Sequence, residues 1–84
     1  MKSYFITFRS VTYAQRGEGA LRKAGIDCTL QRTPKWMEER GCGYCLRLRQ
    51  KDVMPAALLL RENEIAFRKV YAQRDGGKLE EITV

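Results

Sequence analysis

Hydrophobic periodicity switches repeatedly between the spacing of a strand and that of a helix along the 84 residues of the chain. Strands bury alternate residues, whereas helices bury residues three or four apart. By these rules we assign strands to residues 2–8, 27–33, 44–49 and 65–72, and helices to residues 11–24 and 52–63. The predicted order is therefore strand, helix, strand, strand, helix, strand.

This order is typical of the split β-α-β motif. We predict an α+β, ferredoxin-like fold, in which an antiparallel sheet in the order 4-1-3-2 carries two helices on one face. Residues 1–72 form the domain in this prediction. Asp75-Gly76-Gly77 then marks a turn, and residues 73–84 are a C-terminal tail or a short returning strand.

Residues at the predicted helix ends fit their positions. Ser10 is a good N-cap for the first helix, and Gly25 is a good stop after it. Asp52 is predicted to cap the second helix, which places Pro55 in the first turn, where its missing N–H costs little. Asn63 is the predicted end of that helix.

Alternation also assigns each residue of a strand to one of the two faces. In the first strand Tyr4, Ile6 and Phe8 share one face, and Ser3, Phe5 and Thr7 share the other. In the second helix the positions predicted to face inward are Val53, Ala56, Ala57 and Leu60.

The sequence contains no histidine and three cysteines, Cys28, Cys42 and Cys45. The lack of histidine excludes Ser-His-Asp and Cys-His catalytic groups and metal sites that contain histidine. An odd number of cysteines argues against a disulfide framework, and three cysteines are one short of a Cys₄ zinc site. We expect neither a cofactor nor a metal ion.

No apolar run approaches the roughly 20 residues of a membrane-spanning helix. The first residues, MKSYFITF, lack the apolar core and cleavage site of a signal peptide. We therefore expect a cytoplasmic protein without membrane contact. The net charge of +6 favours an acidic partner, but the basic residues are spread along the chain, as on solvated faces.

The segment Gly41-Cys42-Gly43 is the candidate site. A cysteine between two glycines is little shielded, and glycines let backbone N–H groups converge on an anion. In the predicted sheet the start of the third strand lies beside the end of the first strand, so we expect Cys42 near Arg9, Ser10 and Thr12 and near the first helix N-terminus. Arg40 adds positive charge. These groups would lower the pKa of the Cys42 thiol.

The alternative for Cys42 is a small apolar residue at a strand start. Cys42 and Cys45 also have the C-x-x-C spacing of thiol redox proteins, although here the motif leads into a strand, which turns residues three apart to opposite faces. We expect Cys28 to belong to the core.

A second alternative function is nucleic-acid or protein binding on the sheet face away from the helices. We expect Phe5, Thr7, Arg47 and Arg49 on that face. Sheets that bind RNA stack bases on aromatic residues of the central strands. Only Phe5 meets that requirement, so nucleic acid is the weaker hypothesis. An open sheet face and an exposed edge strand would also permit a homodimer.

Over residues 4–71 the chain resembles the putative selenium/sulfur carrier protein-like family, a family of small bacterial domains. The resemblance rests on Tyr4–Phe8, on Ser10, and on Ala20-Leu21 with Ala24-Gly25-Ile26 at the end of the first helix. It also includes the Cys42-Gly43 pair, which Leu46-Arg47 follows, and the second helix that ends before Ile65.

The resemblance implies a non-enzymatic carrier that holds sulfur or selenium as a persulfide or perselenide on Cys42. Donor and acceptor proteins would be its partners. The chain departs from the family in two places: Cys45 replaces a small apolar residue, and the tail after Tyr71 is longer. Cys45 would be either a resolving thiol that releases the sulfur or a neutral replacement on an exposed strand face, which we favour.

Overall fold

A computed structural model describes residues 3–33, 43–73 and 79–82. Its elements are β1 (Ser3–Phe8), α1 (Val11–Lys23), β2 (Thr29–Arg32), β3 (Tyr44–Arg49), α2 (Gln50–Glu62), β4 (Val70–Gln73) and β5 (Leu79–Ile82). The strands form one antiparallel sheet in the order β2-β3-β1-β4-β5. The predicted ferredoxin-like fold is confirmed, and β5 is the additional C-terminal strand.

The two central strands set the geometry of both sheet ends. Phe8 pairs with Tyr44 at one end of the β1–β3 ladder, and Ser3 pairs with Arg49 at the other. The end of β1 therefore lies beside the start of β3, as predicted. The start of α1 lies at the same end, because only Arg9 and Ser10 separate that helix from β1.

The main core lies between the two helices and one face of the sheet. The alternation in β1 is confirmed, since Ile6 and Phe8 are buried in this core and Tyr4 packs against it. All four residues predicted to face inward on α2 are buried. The largest fully buried side chains are Phe8, Ile6, Leu21, Leu46, Leu60, Val70 and Cys45.

Both ends of α1 follow the sequence prediction. Ser10 is the N-cap, and its Oγ accepts a hydrogen bond of 3.4 Å from the Tyr13 backbone N–H. Gly25 follows the helix with a φ of +80°, a left-handed conformation that residues with a Cβ rarely adopt.

The start of α2 differs from the prediction. The helix begins at Gln50, and its N-cap is Arg49, whose side chain makes no capping hydrogen bond. Asp52 therefore lies inside the first turn, where its carboxylate faces the helix dipole and Arg49 Nε at 3.5 Å. Pro55 consequently lies in the second turn, where its missing N–H removes an internal hydrogen bond. The predicted end at Asn63 is confirmed.

The second and fourth strands are shorter than predicted. β2 begins at Thr29 and ends at Arg32, and β4 begins only at Val70. A bulge explains the late start of β4, because two residues oppose Thr7 of β1. The Thr7 N–H donates to Lys69 O at 2.8 Å, while Thr7 O accepts from the Arg68 N–H at 2.7 Å.

β5 pairs antiparallel with β4, with Val70 opposite Ile82 and Gln73 opposite Leu79. Ile82 packs against the main core. The predicted turn at Asp75-Gly76-Gly77 lies outside the described residues. Within the described ranges, neither helix has the length and apolar character needed to cross a membrane.

Candidate functional site

Part of the predicted site falls outside the described residues: Arg40, Gly41 and Cys42. The structure describes Gly43, Arg9, Ser10, Thr12 and Cys45 of the predicted set. The proximity of Cys42 to the start of α1 therefore stays a prediction.

Gly43 lies at the sheet end that was predicted for the site. Its carbonyl oxygen accepts a hydrogen bond of 3.0 Å from the Thr33 N–H, one position beyond the last β2–β3 pair. Its chain neighbour Tyr44 pairs with Phe8, the last residue of β1. The structure thus brings Gly43 to the sheet end where Arg9 and Ser10 connect β1 to α1.

The N-terminus of α1 supplies positive potential at this end. Arg9 precedes the helix with an exposed side chain, and Thr12 in the first turn is also exposed. The first turn contains no acidic residue. The partial positive charge of the helix N-terminus is therefore not neutralised by its own first turn.

Cys45 is not on an exposed strand face, contrary to the interpretation favoured above. Its exposed fraction is 0%, although it lies on the face away from the helices. There it belongs to a second, smaller cluster with Phe5 and Tyr71. The alternation of residues in β3 correctly assigns Cys45 to the face away from the helices. It gives no information on how far neighbouring side chains cover that face.

Polar side chains surround Cys45 within the sheet. Thr7 of β1 and Gln31 of β2 are its direct cross-strand partners. Burial raises the pKa of the Cys45 thiol, and hydrogen bonding of Thr33 and Gln31 to the thiolate offsets part of that increase. Cys45 is a free thiol that remains protonated near neutral pH.

The hydroxyl of Thr33 is buried as well. Thr33 Oγ1 has no hydrogen-bond partner among the described residues, although it lies near enough to Cys45 to stabilise the thiolate. Sequence analysis did not select Gln31 and Thr33. The sequence does contain a pattern that could have found them. Gln31 and Thr33 alternate with Leu30 and Arg32, and this alternation assigns them to the face away from the helices, where Cys45 lies.

Cys28 is a core residue, as predicted. Only 7% of it is exposed, and it belongs to the main core. Burial raises the pKa of this thiol too, while the nearby Arg22 guanidinium acts in the opposite direction. Cys28 is also a free thiol. Two of the three cysteines are therefore poor nucleophiles near neutral pH.

The sheet face away from the helices is partly covered. Phe5 and Thr7 have exposed fractions of 6% and 7%. The exposed arginines of β3 make contacts within the chain: Arg47 donates to Ser3 Oγ at 3.0 Å, and Arg49 pairs with Asp27 at 3.2 Å. Because Phe5 is buried, its ring is not accessible for stacking on a base, and Tyr71, which lies opposite Phe5 on this face, is half-buried.

The described residues contain no group of three or more His, Cys, Asp or Glu side chains able to hold a metal ion.

Comparison with known proteins gives one result. A family model described as "Putative Se/S carrier protein-like" matches residues 3–72. No curated protein matches the chain, and neither does any solved structure.

Proposed function

The chain belongs to the putative Se/S carrier protein-like family, and from that premise we propose that it carries sulfur or selenium on Cys42. The carried atom is held as a persulfide or perselenide and passes between a donor protein and an acceptor protein. The family match over residues 3–72, which includes the Cys42-Gly43 pair, is the observation that carries this proposal.

The burial of the other two cysteines supports the choice of Cys42. A carrier thiol has to reach the active site of a donor and then that of an acceptor. Cys28 and Cys45 are buried, and burial raises both pKa values, so neither meets this requirement. Cys42 is the remaining thiol of the chain.

The proposed transfer needs no oxidant. The Cys42 thiolate attacks the outer sulfur of a donor persulfide, R–S–SH, and forms a new S–S bond. The S–S bond of the donor breaks, and R–S⁻ leaves and takes up a proton. Delivery repeats the same exchange with an acceptor thiol as the nucleophile. A perselenide is transferred in the same way from R–S–SeH.

Electrostatics at this sheet end favour both the thiolate and the persulfide anion. The exposed Arg9 and the N-terminus of α1, whose first turn has no acidic residue, lie at the sheet end where Gly43, the chain neighbour of Cys42, is located. Positive charge lowers the pKa of a nearby thiol. The net charge of +6 would also speed encounters with partners that present acidic surfaces.

The thiol redox alternative has less support than the carrier. It requires Cys45 to attack a disulfide or a persulfide at Cys42. Cys45 is fully buried, and burial raises its pKa, so the attacking thiolate would be scarce near neutral pH.

Intact-mass measurement after exposure to a persulfide donor, such as a cysteine desulfurase with cysteine, tests the carrier proposal. We expect wild-type protein to gain one sulfur that dithiothreitol removes. Cys42→Ala should lose this gain, whereas Cys45→Ala and Cys28→Ala, the matched controls, should keep it. Equal gain in all three variants, or no gain in wild-type protein, would refute the proposal.

A further inference from the structure

A cleft of about 220 Å³ lies at the start of α1, and the proposed sulfur chemistry does not use it. The described residues that line it are Arg9, Tyr13, Ala66, Phe67 and Arg68. Two of these five are arginines, and none is acidic. The described lining therefore contributes two positive charges and no negative one.

The backbone brings the two arginines together although 59 positions separate them in the sequence. Arg68 belongs to the bulge opposite Thr7, and its N–H donates to Thr7 O at 2.7 Å. Arg9 follows Thr7 by two residues. The bulge thus fixes the backbone of Arg68 beside the end of β1. Arg9 lies at the same end, because it directly follows Phe8, the last residue of β1.

Two aromatic residues, Tyr13 and Phe67, also line the cleft. Phe67 and Tyr13 are half-buried and pack against the main core, which holds their backbone positions. The Arg61 guanidinium lies 5.5 Å from the centroid of the Phe67 ring. Arg61 lines an adjacent cleft together with Glu64, so these neighbours contribute one charge of each sign.

We propose that this cleft binds a small oxyanion of the phosphate or sulfate class, a class to which thiosulfate and selenite also belong. Guanidinium groups donate paired N–H hydrogen bonds that match the spacing of such oxygens, and arginine is the residue that most favours this geometry. Tyr13, which also lines the cleft, carries a phenol that can donate a further hydrogen bond. The cavity is below the ~300 Å³ of sites for larger ligands, so it fits a small anion.

This proposal goes beyond the proposed function and does not depend on it. Each lining residue belongs to the described part of the chain, and Cys42 is not among them. Oxyanion binding in the cleft should therefore survive Cys42→Ala. Loss of persulfide loading and loss of oxyanion binding can consequently be observed separately in the same set of variants.

Titration of ¹⁵N-labelled Cys42→Ala protein, followed by NMR, tests the cleft directly. The Cys42→Ala change removes the proposed reactive thiol, so thiosulfate and selenite act only as ligands at that position. We expect inorganic phosphate, thiosulfate or selenite to shift the amide signals of Arg9, Tyr13, Phe67 and Arg68 in a saturable way. Sodium chloride at equal ionic strength should not reproduce these shifts.

Charge-neutral variants separate a defined site from general positive charge. Arg9→Gln and Arg68→Gln should each weaken binding by about tenfold or more, because each removes charge-assisted hydrogen bonds to the anion. Arg47→Gln removes the same charge outside the cleft, since Arg47 pairs with Phe5 within the β1–β3 ladder and its side chain contacts Ser3 toward the far end of the sheet. It should leave the affinity within about twofold of the starting value. Circular dichroism of each variant checks that it is folded.

The outcomes divide clearly. Saturable shifts at the cleft that both cleft variants weaken support the site, and the relative affinities of phosphate and the sulfur and selenium anions identify the preferred ligand. Shifts that never saturate, or that Arg47→Gln weakens as much as Arg9→Gln does, would overturn the proposal in favour of non-specific attraction by the basic surface.

Discussion

Gly17 of α1 and Phe8 of β1 approach each other so closely that a Cβ atom on Gly17 would require Phe8 to shift. A Cβ atom built on Gly17 would lie 3.0 Å from Phe8 Cζ and 3.2 Å from Leu60 Cδ2. Phe8 and Leu60 are fully buried, so neither can move away freely. Gly17 lies inside the helix predicted over residues 11–24, and its lack of a side chain lets α1 pack closely against Phe8 and Leu60.

Gly17→Ala should destabilise the protein, and Gly19→Ala should stabilise it. Both changes gain about 1 kcal/mol of helix propensity. Only Gly17→Ala overpacks the core, at a cost of about 1–3 kcal/mol, since a Cβ at Gly19 would meet nothing within 4 Å among the described atoms. Urea denaturation of the two variants measures the difference directly. Equal free energies of unfolding would contradict the tight packing at Gly17.

Thr7 and Thr33 are both buried, but only the Thr7 hydroxyl is hydrogen-bonded among the described residues. Thr7 Oγ1 donates to Lys69 O at 3.2 Å and accepts from the Lys69 N–H at 3.0 Å, whereas Thr33 Oγ1 has no partner among the described residues. Thr7→Val should therefore lower the free energy of unfolding by about 1–3 kcal/mol, and Thr33→Val should leave it unchanged or raise it. Denaturation curves of both variants decide this; a larger loss for Thr33→Val would show that its hydroxyl is satisfied.

The buried thiols should make stability depend on pH above the ordinary thiol pKa of about 8.5. Burial raises the folded pKa of Cys28 and Cys45, so the folded state keeps protons that the unfolded state releases. The contribution of the protonated buried thiols to the free energy of unfolding is fully present below about pH 8.5, and it is lost as the pH rises toward the folded pKa values. The free energy of unfolding of wild-type, Cys28→Ala and Cys45→Ala proteins should be measured by denaturation between pH 7 and about 10. We expect it to fall less with rising pH in each variant than in wild-type protein. The same slope in all three proteins would exclude the thiols as its source.

Alkylation should show that Cys28 and Cys45 are both shielded from solvent. In folded Cys42→Ala protein, Cys28 and Cys45 should react with iodoacetamide far more slowly than in denaturant, because both are buried. Mass spectrometry of the alkylated protein over time gives the two rates. Fast labelling of Cys45 without denaturant would revive its role as a resolving thiol.

β5 should contribute to the stability of the whole domain. Ile82 packs against the main core, so Ile82→Ala should lower the free energy of unfolding by about 1–2 kcal/mol, less than at a fully buried site. Glu81→Gln, the control, removes only an exposed ion pair with Lys69 at 3.5 Å and should change it by less than about 1 kcal/mol. No effect of Ile82→Ala would support the predicted domain end at residue 72.

The order of the elements was predictable from the sequence because the core repeats the sequence periodicity. Ile6 and Phe8 alternate in β1, and Val53, Ala56 and Leu60 follow helical spacing in α2. These patterns were sufficient to predict both helices and, through the order of the elements, the pairing of the two central strands. The sequence resemblance added the family and the cysteine proposed to carry sulfur.

The missed details depend on contacts between distant residues. Ile65 and Phe67 alternate like strand residues, but the bulge opposite Thr7 delays β4 to Val70. Asp52 has the residue type of a cap, yet α2 continues directly from β3 and starts before it. The cleft between Arg9 and Arg68 escaped notice for the same reason, since no local pattern reports a pairing across 59 positions.

The addition of β5 also changes which backbone groups the sheet offers to other molecules. β2 and β5 are the outermost strands, each four residues long, and β5 presents Glu80 and Glu81 near the middle of its length. Short, charged edges resist the strand-by-strand growth that leads to fibrils. At high concentration this chain should therefore resist polymerisation through its sheet, an advantage for a small protein whose stability must come from a modest core.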